Sequence, residues 1–471
     1  MSSRPVWSAA SLMTAALLAV GAAQGVATGA VAAGRSGKPR PVRAVTTITV
    51  DTSQTQGRVS NGFIGLSYPS AGINSGRYAA VGNLPALLAN LGPSVLRFGG
   101  NSVDYSAYQG ITPAALTGLA GLAKKTGWTV LYSVNLGYFN AANVTADVRN
   151  VATKLGASLF GVACGNEPED FPGRERPASY TEQDYLTTDV PACYQAVRAG
   201  APNAPFTGPN TFHTSWLLPY ATAEKGRLKY LVEHYYPMTN CHSGQNTAAE
   251  LISTSTMAKE TYMLAQVKAA AAVAKVPFII GETNSASCGG IPGIGDTYAS
   301  ALWAASWIMT GAEHGAHAMY FNGSLSDCIV YTPLCTTGGT QYTARPVYYG
   351  LLFAHLMGTG WTLPVTVPAT ASLAAFAVRN SPGNVRVMVQ NLTGSPASIA
   401  LRVPGAAGSA STLSLTAPSL TATTGVRIQG AVVTSAGTFK PGAVGHVACK
   451  AGICDLTLPA YAAEILTLPH L

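Results

Sequence analysis

The chain has 471 residues and nearly half are apolar, enough for a large core and for more than one typical domain. Its formal charge of +8 belongs to one end: Arg4, Arg35, Lys38, Arg40 and Arg43 fall in positions 1–44, where no acidic residue occurs, leaving only +3 elsewhere. So small and scattered a balance excludes a nucleic-acid footprint, and no nucleic-acid partner is expected.

The first element is an export signal. Arg4 precedes an apolar run from Ala9 to about Ala23, and small residues lead to an A-x-A site at Ala30-Val31-Ala32. Positions 1–32 are therefore expected to be removed and the protein secreted, with 33–44 a disordered basic leader. The strongly apolar part, centred on Leu12 to Val20, is short for a spanning helix of about 20 residues, so no membrane partner is expected. All eight cysteines follow the signal, which in an exported protein favours disulfides. Cys328/Cys335 and Cys449/Cys454 are close enough to staple single loops. The partners of Cys164, Cys193, Cys241 and Cys288 stay open. Zinc lacks its ligand spacing, with no C-x-x-C pair.

Strands and helices alternate over 61–358. The predicted strands are Phe63–Tyr68, Val95–Gly100, Trp128–Leu136, Leu159–Glu167, Phe206–Asn210, Lys229–Tyr236, Val276–Asn284 and Ala316–Asn322. Helices are predicted at Glu182–Ala199, Ala258–Lys275 and Thr297–His314. Most of the strands are continuous apolar runs, as parallel strands buried on both faces require. Eight of them imply an α/β fold, a (β/α)8 TIM barrel. The competing doubly wound sheet lacks its glycine-rich phosphate loop, because Leu66-Ser67-Tyr68-Pro69 stands after the first strand. From 359 to 471 short alternating runs separated by Pro, Gly and Ser predict an additional C-terminal antiparallel β-sandwich domain: Ala374–Arg379, Val385–Gln390, Ser398–Val403, Thr412–Leu415 and Ala463–Leu468. The early run Thr46–Asp51, within 45–60, is expected to join it.

Two glutamates carry the chemistry. Glu167 in Gly165-Asn166-Glu167-Pro168 closes the fourth predicted strand, and Glu282 in Gly281-Glu282-Thr283-Asn284 closes the seventh. Barrel enzymes place their sites at that face. Two carboxyl groups about 5–5.5 Å apart across a sugar ring suit glycoside hydrolysis with retention. Glu282 would attack the anomeric carbon. Glu167, its pKa raised, would protonate the leaving oxygen and then activate water. His234-Tyr235-Tyr236 ends the sixth strand, and alternation puts His234 and Tyr236 on one face, with Tyr236 placed to hydrogen-bond Glu282. Asn166 is placed to bond a sugar 2-hydroxyl. After the second strand Asn101 and Asp104 are expected to meet the sugar, and Gly289–Gly295 reads as a mobile loop beside the site. Neither metal nor organic cofactor is expected. Glu313-His314-Gly315-Ala316-His317 is no zinc face, since Gly315 ends its helix, and the absence of G-x-S-x-G argues against an α/β-hydrolase.

At these residues the chain resembles clan-A glycoside hydrolases, more narrowly family 79, the β-glucuronidase and heparanase group. The likeness runs from about residue 46 onward. It is carried by Leu96-Arg97-Phe98-Gly99-Gly100-Asn101-Ser102 with Asp104, by Gly165-Asn166-Glu167-Pro168 and by His234-Tyr235-Tyr236. Gly281-Glu282-Thr283-Asn284-Ser285 with Ser287-Cys288-Gly289-Gly290, and Arg345-Pro346-Val347-Tyr348-Tyr349-Gly350, complete it. The resemblance implies release of a terminal β-linked uronic acid from a glycan or glycoconjugate, with retention, and a sandwich drawn from both chain ends. It also implies a glycone contact for Tyr331. Three departures bear on the glycone. Pro69 stands where many relatives have an acidic residue, Ala286-Ser287-Cys288 replaces a tyrosine of some bacterial relatives, and no Lys or Arg is committed to a sugar carboxylate. A neutral or decorated sugar, another clan-A activity, endo action like that of heparanase, and a carbohydrate-binding pseudoenzyme are the alternatives.

Overall fold

A computed structural model of the protein describes residues 45–469 except 243, 245, 337 and 382. The expected signal and leader, 1–44, lie outside the described residues. Eight parallel strands close into a barrel in chain order: Ile64–Pro69, Val95–Gly99, Thr129–Val134, Leu159–Cys164, Phe206–Thr211, Leu228–Tyr235, Phe278–Thr283 and Ala318–Asn322, the last pairing with the first. The second, fifth and seventh are buried at every position, which explains why their sequences show no regular alternation of apolar and polar residues. Small residues make room inside. A Cβ on Gly65 would lie 2.3 Å from Tyr320 Cδ1, and one on Gly281 would lie 2.4 Å from Val232 Cγ1.

Helices pack outside. The apolar helices Tyr298–Glu313 and Pro346–His355 are buried along most of their length, since the barrel lies on one side and the second domain on the other. The predicted helix Glu182–Ala199 is interrupted by a π-helical turn, Tyr185–Asp189, before Val190–Gly200 resumes. Pro191 lacks the N–H that an unbroken α-helix would use there. The helix ahead of His314 ends at Glu313, and Gly315 leaves it with φ +90°. Among the described residues no helix is long and apolar enough to cross a membrane.

The segment from Gly360 to Leu468, with Val45–Val50 and Arg58–Val59, forms one curled, mainly antiparallel sheet of twelve strands over its own core of Ile48, Val50, Leu363, Val387, Leu401 and Leu466. Val45–Val50 enters it, parallel to Ala397–Arg402 and antiparallel to Val365–Thr366. Its outer face lies on the barrel helices: Gln390 Oε1 accepts from Ser306 at 3.0 Å, and Tyr298 donates to the Leu415 carbonyl at 2.7 Å. Sequence periodicity missed the hairpin Gly445–Lys450 and Ile453–Leu458, whose first strand buries only Cys449. Cys449–Cys454 staples it, and Cys328–Cys335 closes the loop after the eighth barrel strand. The four cysteines left open pair as Cys164–Cys193 and Cys241–Cys288.

Candidate active site

Glu167 lies past the fourth strand rather than ending it. The strand stops at Cys164 because Gly165 turns the chain with φ +67°. Glu167 itself takes φ 46°, ψ 61°, a left-handed conformation costing roughly 1–2 kcal/mol for a residue with a Cβ. Glu282 sits within the seventh strand, where the register against the sixth shifts between Ile280 and Glu282. Such irregularities re-aim side chains. The two glutamates meet: a carboxylate oxygen of each and a ring nitrogen of His234 all lie within 4.8 Å of one another.

Their surroundings differ. Arg97 on the second strand, fully buried, donates from Nη1 to Glu282 Oε2 at 2.6 Å and to Ser67 Oγ at 2.9 Å. The Tyr236 hydroxyl donates to Glu282 Oε1 at 2.7 Å, and Asn322 Nδ2 donates to the same oxygen at 3.1 Å. Among the described residues Glu167 has one side-chain partner, His234 Nδ1, 2.8 Å from its Oε1.

Burial pushes Glu167 well above the usual carboxylate range, and the negative charge of Glu282 pushes it further. Burial also works against ionised Glu282, and a positive His234 would oppose it. His234, however, is driven down to about 3 by burial and by Arg97, so it is neutral. The Arg97 charge and the donors Tyr236 and Arg97 still favour the Glu282 anion against its burial. One carboxyl is kept protonated and its neighbour ionised. Glu167, His234 and Glu282 are also the described residues able to share a metal ion. The Arg97 guanidinium already neutralises Glu282, which makes a cation there redundant.

The other predicted residues fall into place unevenly. Asn166 is 2 % exposed: its Oδ1 accepts from Arg97 Nη2 at 2.7 Å and from the Gly100 amide at 3.0 Å, and its Nδ2 donates to Asn101 Oδ1 at 2.8 Å. One N–H of Asn166 is left for a ligand, and Asn101 is exposed beside it. Tyr331 is buried, with its hydroxyl 3.2 Å from Asn322 Nδ2 and its ring beside Tyr236. Asp104 does not face a sugar. It is 1 % exposed, and its oxygens accept from the amides of Leu136, Gly137 and Asn166. Nor is Gly289–Gly295 a free loop. Cys241–Cys288 and a short parallel ladder, Met238–Thr239 with Ala286–Ser287, tie its start to the sixth-strand loop. Asn240 Nδ2 donates to the Gly290 carbonyl at 2.9 Å. A Cβ on Gly290 would sit 2.8 Å from the Tyr331 ring.

Arg97 and Asn322 are the functional residues that sequence reasoning missed. Arg97 did carry a signal: a lone charge inside the apolar run Val95–Gly99 must find a buried partner. Asn322 ends the eighth strand without a distinguishing neighbour.

No family model matches the chain. It is similar to a β-glucuronidase of Aspergillus niger, 26 % identical over 349 residues covering 63 % of this chain and 64 % of that enzyme. A β-glucuronidase of Neurospora crassa is 24 % identical over 375 residues, 65 % of this chain and 67 % of that one. The chain thus spans somewhat less than two thirds of the Aspergillus relative's length. Among solved structures, a 4-O-α-L-rhamnosyl-β-D-glucuronidase of Fusarium oxysporum superposes with TM-score 0.74 at 22 % identity, covering 90 % of this chain and 100 % of that one. A family 51 arabinofuranosidase of Xanthomonas axonopodis gives 0.66 at 16 % identity, over 90 % and 99 %. What these likenesses show is the fold, a closed eight-stranded parallel barrel with an appended sandwich, and its mouth brings two carboxyl groups together.

Proposed function

We propose that the chain is a retaining glycoside hydrolase that releases a terminal β-linked glucuronic acid from a glycan or glycoconjugate. The observation that carries this reading is the approach of Glu167 and Glu282 to within 4.8 Å, with one environment favouring the acid and the other the anion. An inverting pair stands about 6.5–9.5 Å apart to admit a water between carboxyl and sugar. Glu282 attacks the anomeric carbon while Glu167 gives its proton to the leaving oxygen, breaking the glycosidic bond and forming a glycosyl ester on Glu282. Glu167, now a carboxylate, takes a proton from water, which attacks the same carbon and releases Glu282. Arg97, Tyr236 and Asn322 hold the anion that attacks and later departs. The fungal β-glucuronidases support the glycone, and the resemblance at Asn101 and Ser287-Cys288-Gly289-Gly290 points the same way. Four disulfides support export to an oxidising compartment.

Time-resolved NMR of an aryl β-glucuronide digest should show the β-anomer first, and a 2-fluoro glucuronide should label the peptide containing Glu282. First appearance of the α-anomer would overturn retention. A panel of aryl glycosides tests the glycone, where turnover of a neutral sugar alone would replace the uronic acid.

A further inference from the structure

Glu282 is tethered by three side chains, whereas among the described residues the Glu167 carboxyl has His234 alone. The aim of Glu167 therefore depends on its backbone, and that backbone is left-handed. Two buried side chains hold the turn from opposite sides. On one, Asp104 Oδ2 accepts from the Asn166 amide at 2.8 Å, while its Oδ1 accepts from Leu136 and Gly137, each also at 2.8 Å. One carboxylate thus ties the connections after the second, third and fourth barrel strands. The fit is close: a Cβ on Gly165 would lie 3.3 Å from both Asp104 oxygens and 2.9 Å from Leu136 Cβ.

On the other side stands Asn210, on the fifth strand and itself left-handed at φ +64°. Its carbonyl accepts from the Glu167 amide at 2.8 Å, and its Nδ2 donates to the Gly165 carbonyl at 3.1 Å. Asp104 fastens Asn166, and Asn210 fastens Gly165 and Glu167. Neither reaches the reacting centre, for Asp104 is 1 % exposed and Asn210 fully buried.

We propose that Asp104 and Asn210 are positioning residues that together impose the left-handed turn at Glu167 and so aim the acid/base carboxyl at the leaving oxygen. This rests on reading Glu167 as the acid/base. The clamp acts on proton transfer more than on nucleophilic attack, since Asp104 and Asn210 bond none of the Glu282 anchors directly and touch Arg97 only through its bond to Asn166. Asp104 is the stronger half, because it fastens three loops where Asn210 fastens one turn.

The test is leaving-group dependence, measured with aryl glycosides of whichever sugar the wild type cleaves. A dinitrophenolate needs little protonation to depart, whereas phenolate needs the acid. Asp104→Asn keeps the volume but turns an amide NH2 toward backbone N–H groups. It should lower kcat/KM about 10- to 100-fold on the phenyl glycoside and less than about threefold on the dinitrophenyl glycoside, a fraction of what general acid catalysis contributes. Asn210→Gly retains the backbone geometry and removes only the side chain. It should show the same pattern more weakly, and it carries the test if Asp104→Asn does not fold. Equal losses on both substrates, or none, would overturn the proposal. Glu167→Ala, run alongside, separates the two ideas. If it shows the dependence and the clamp variants do not, the clamp alone falls. If Glu167→Ala shows none, the acid/base assignment falls and the clamp with it.

Discussion

The two carboxyl groups at the barrel mouth solve opposite problems. Arg97 on the second strand, Tyr236 just past the sixth and Asn322 on the eighth surround Glu282 with a guanidinium, a phenol and an amide, so a buried carboxylate stays ionised. Glu167, just past the fourth strand, meets among the described residues a single neutral imidazole, that of His234 on the sixth, so a carboxyl a few ångströms away keeps its proton. Donor count, more than depth of burial, separates the two roles, since both side chains are largely withdrawn from water.

The sharpest break in this comparison is removal of each glutamate. Glu282→Ala should abolish turnover of every substrate, by on the order of 10⁴-fold or more, because no covalent intermediate forms. Glu167→Ala should cost about 10²–10⁴-fold with phenyl aglycones and far less with dinitrophenyl ones. Steady-state kinetics on the two substrates reads both. Equal, substrate-independent losses from both variants would mean that the two glutamates do not divide the labour as described.

A milder variant moves one limb of the pH profile. The proposed mechanism requires Glu282 ionised and Glu167 protonated, so on that reading the acidic limb reports the first and the alkaline limb the second. Tyr236→Phe removes a donor that favours the Glu282 anion, which raises its pKa. The acidic limb of kcat/KM should therefore move to higher pH, by up to about one unit, while the alkaline limb stays. Kcat near the optimum should fall about tenfold, a loss of the size expected for one charge-assisted hydrogen bond. Movement of the alkaline limb instead would reverse the assignment of the two glutamates.

Much of this division was legible in the sequence. Apolar strands in alternation with helices announced the barrel, and each glutamate stood near a strand end. Tyr236 followed from alternation, since residues two apart share a face. What stayed hidden depended on long-range convergence. Asp104 looked like a sugar ligand because nothing local shows that the amides of Leu136, Gly137 and Asn166 converge on it. The glycines after Glu282 suggested mobility, yet Cys241, more than forty residues earlier, pins them. Arg97 was quoted within a motif, but its partner lies 185 residues away.

That pinning allows the gentlest test. Cys241–Cys288 closes a loop with a sequence separation of 47, for which chain entropy suggests roughly 4 kcal/mol, an upper figure because engineered and native bridges often deliver less. The bridge joins the loops after the sixth and seventh strands and does not touch Glu282, whose anchors come from Arg97, Tyr236 and Asn322. A Cys241→Ser, Cys288→Ser double variant should accordingly melt a few degrees lower by calorimetry. Its kcat should remain within about threefold of wild type, the rate effect expected of a change that leaves the tethers of the nucleophile intact. KM should rise instead, since Gly290 lies under the Tyr331 ring and the Asn240–Gly290 bond would loosen. A large fall in kcat with KM unchanged would mean that the disulfide, and not the ring of donors, keeps Glu282 aligned.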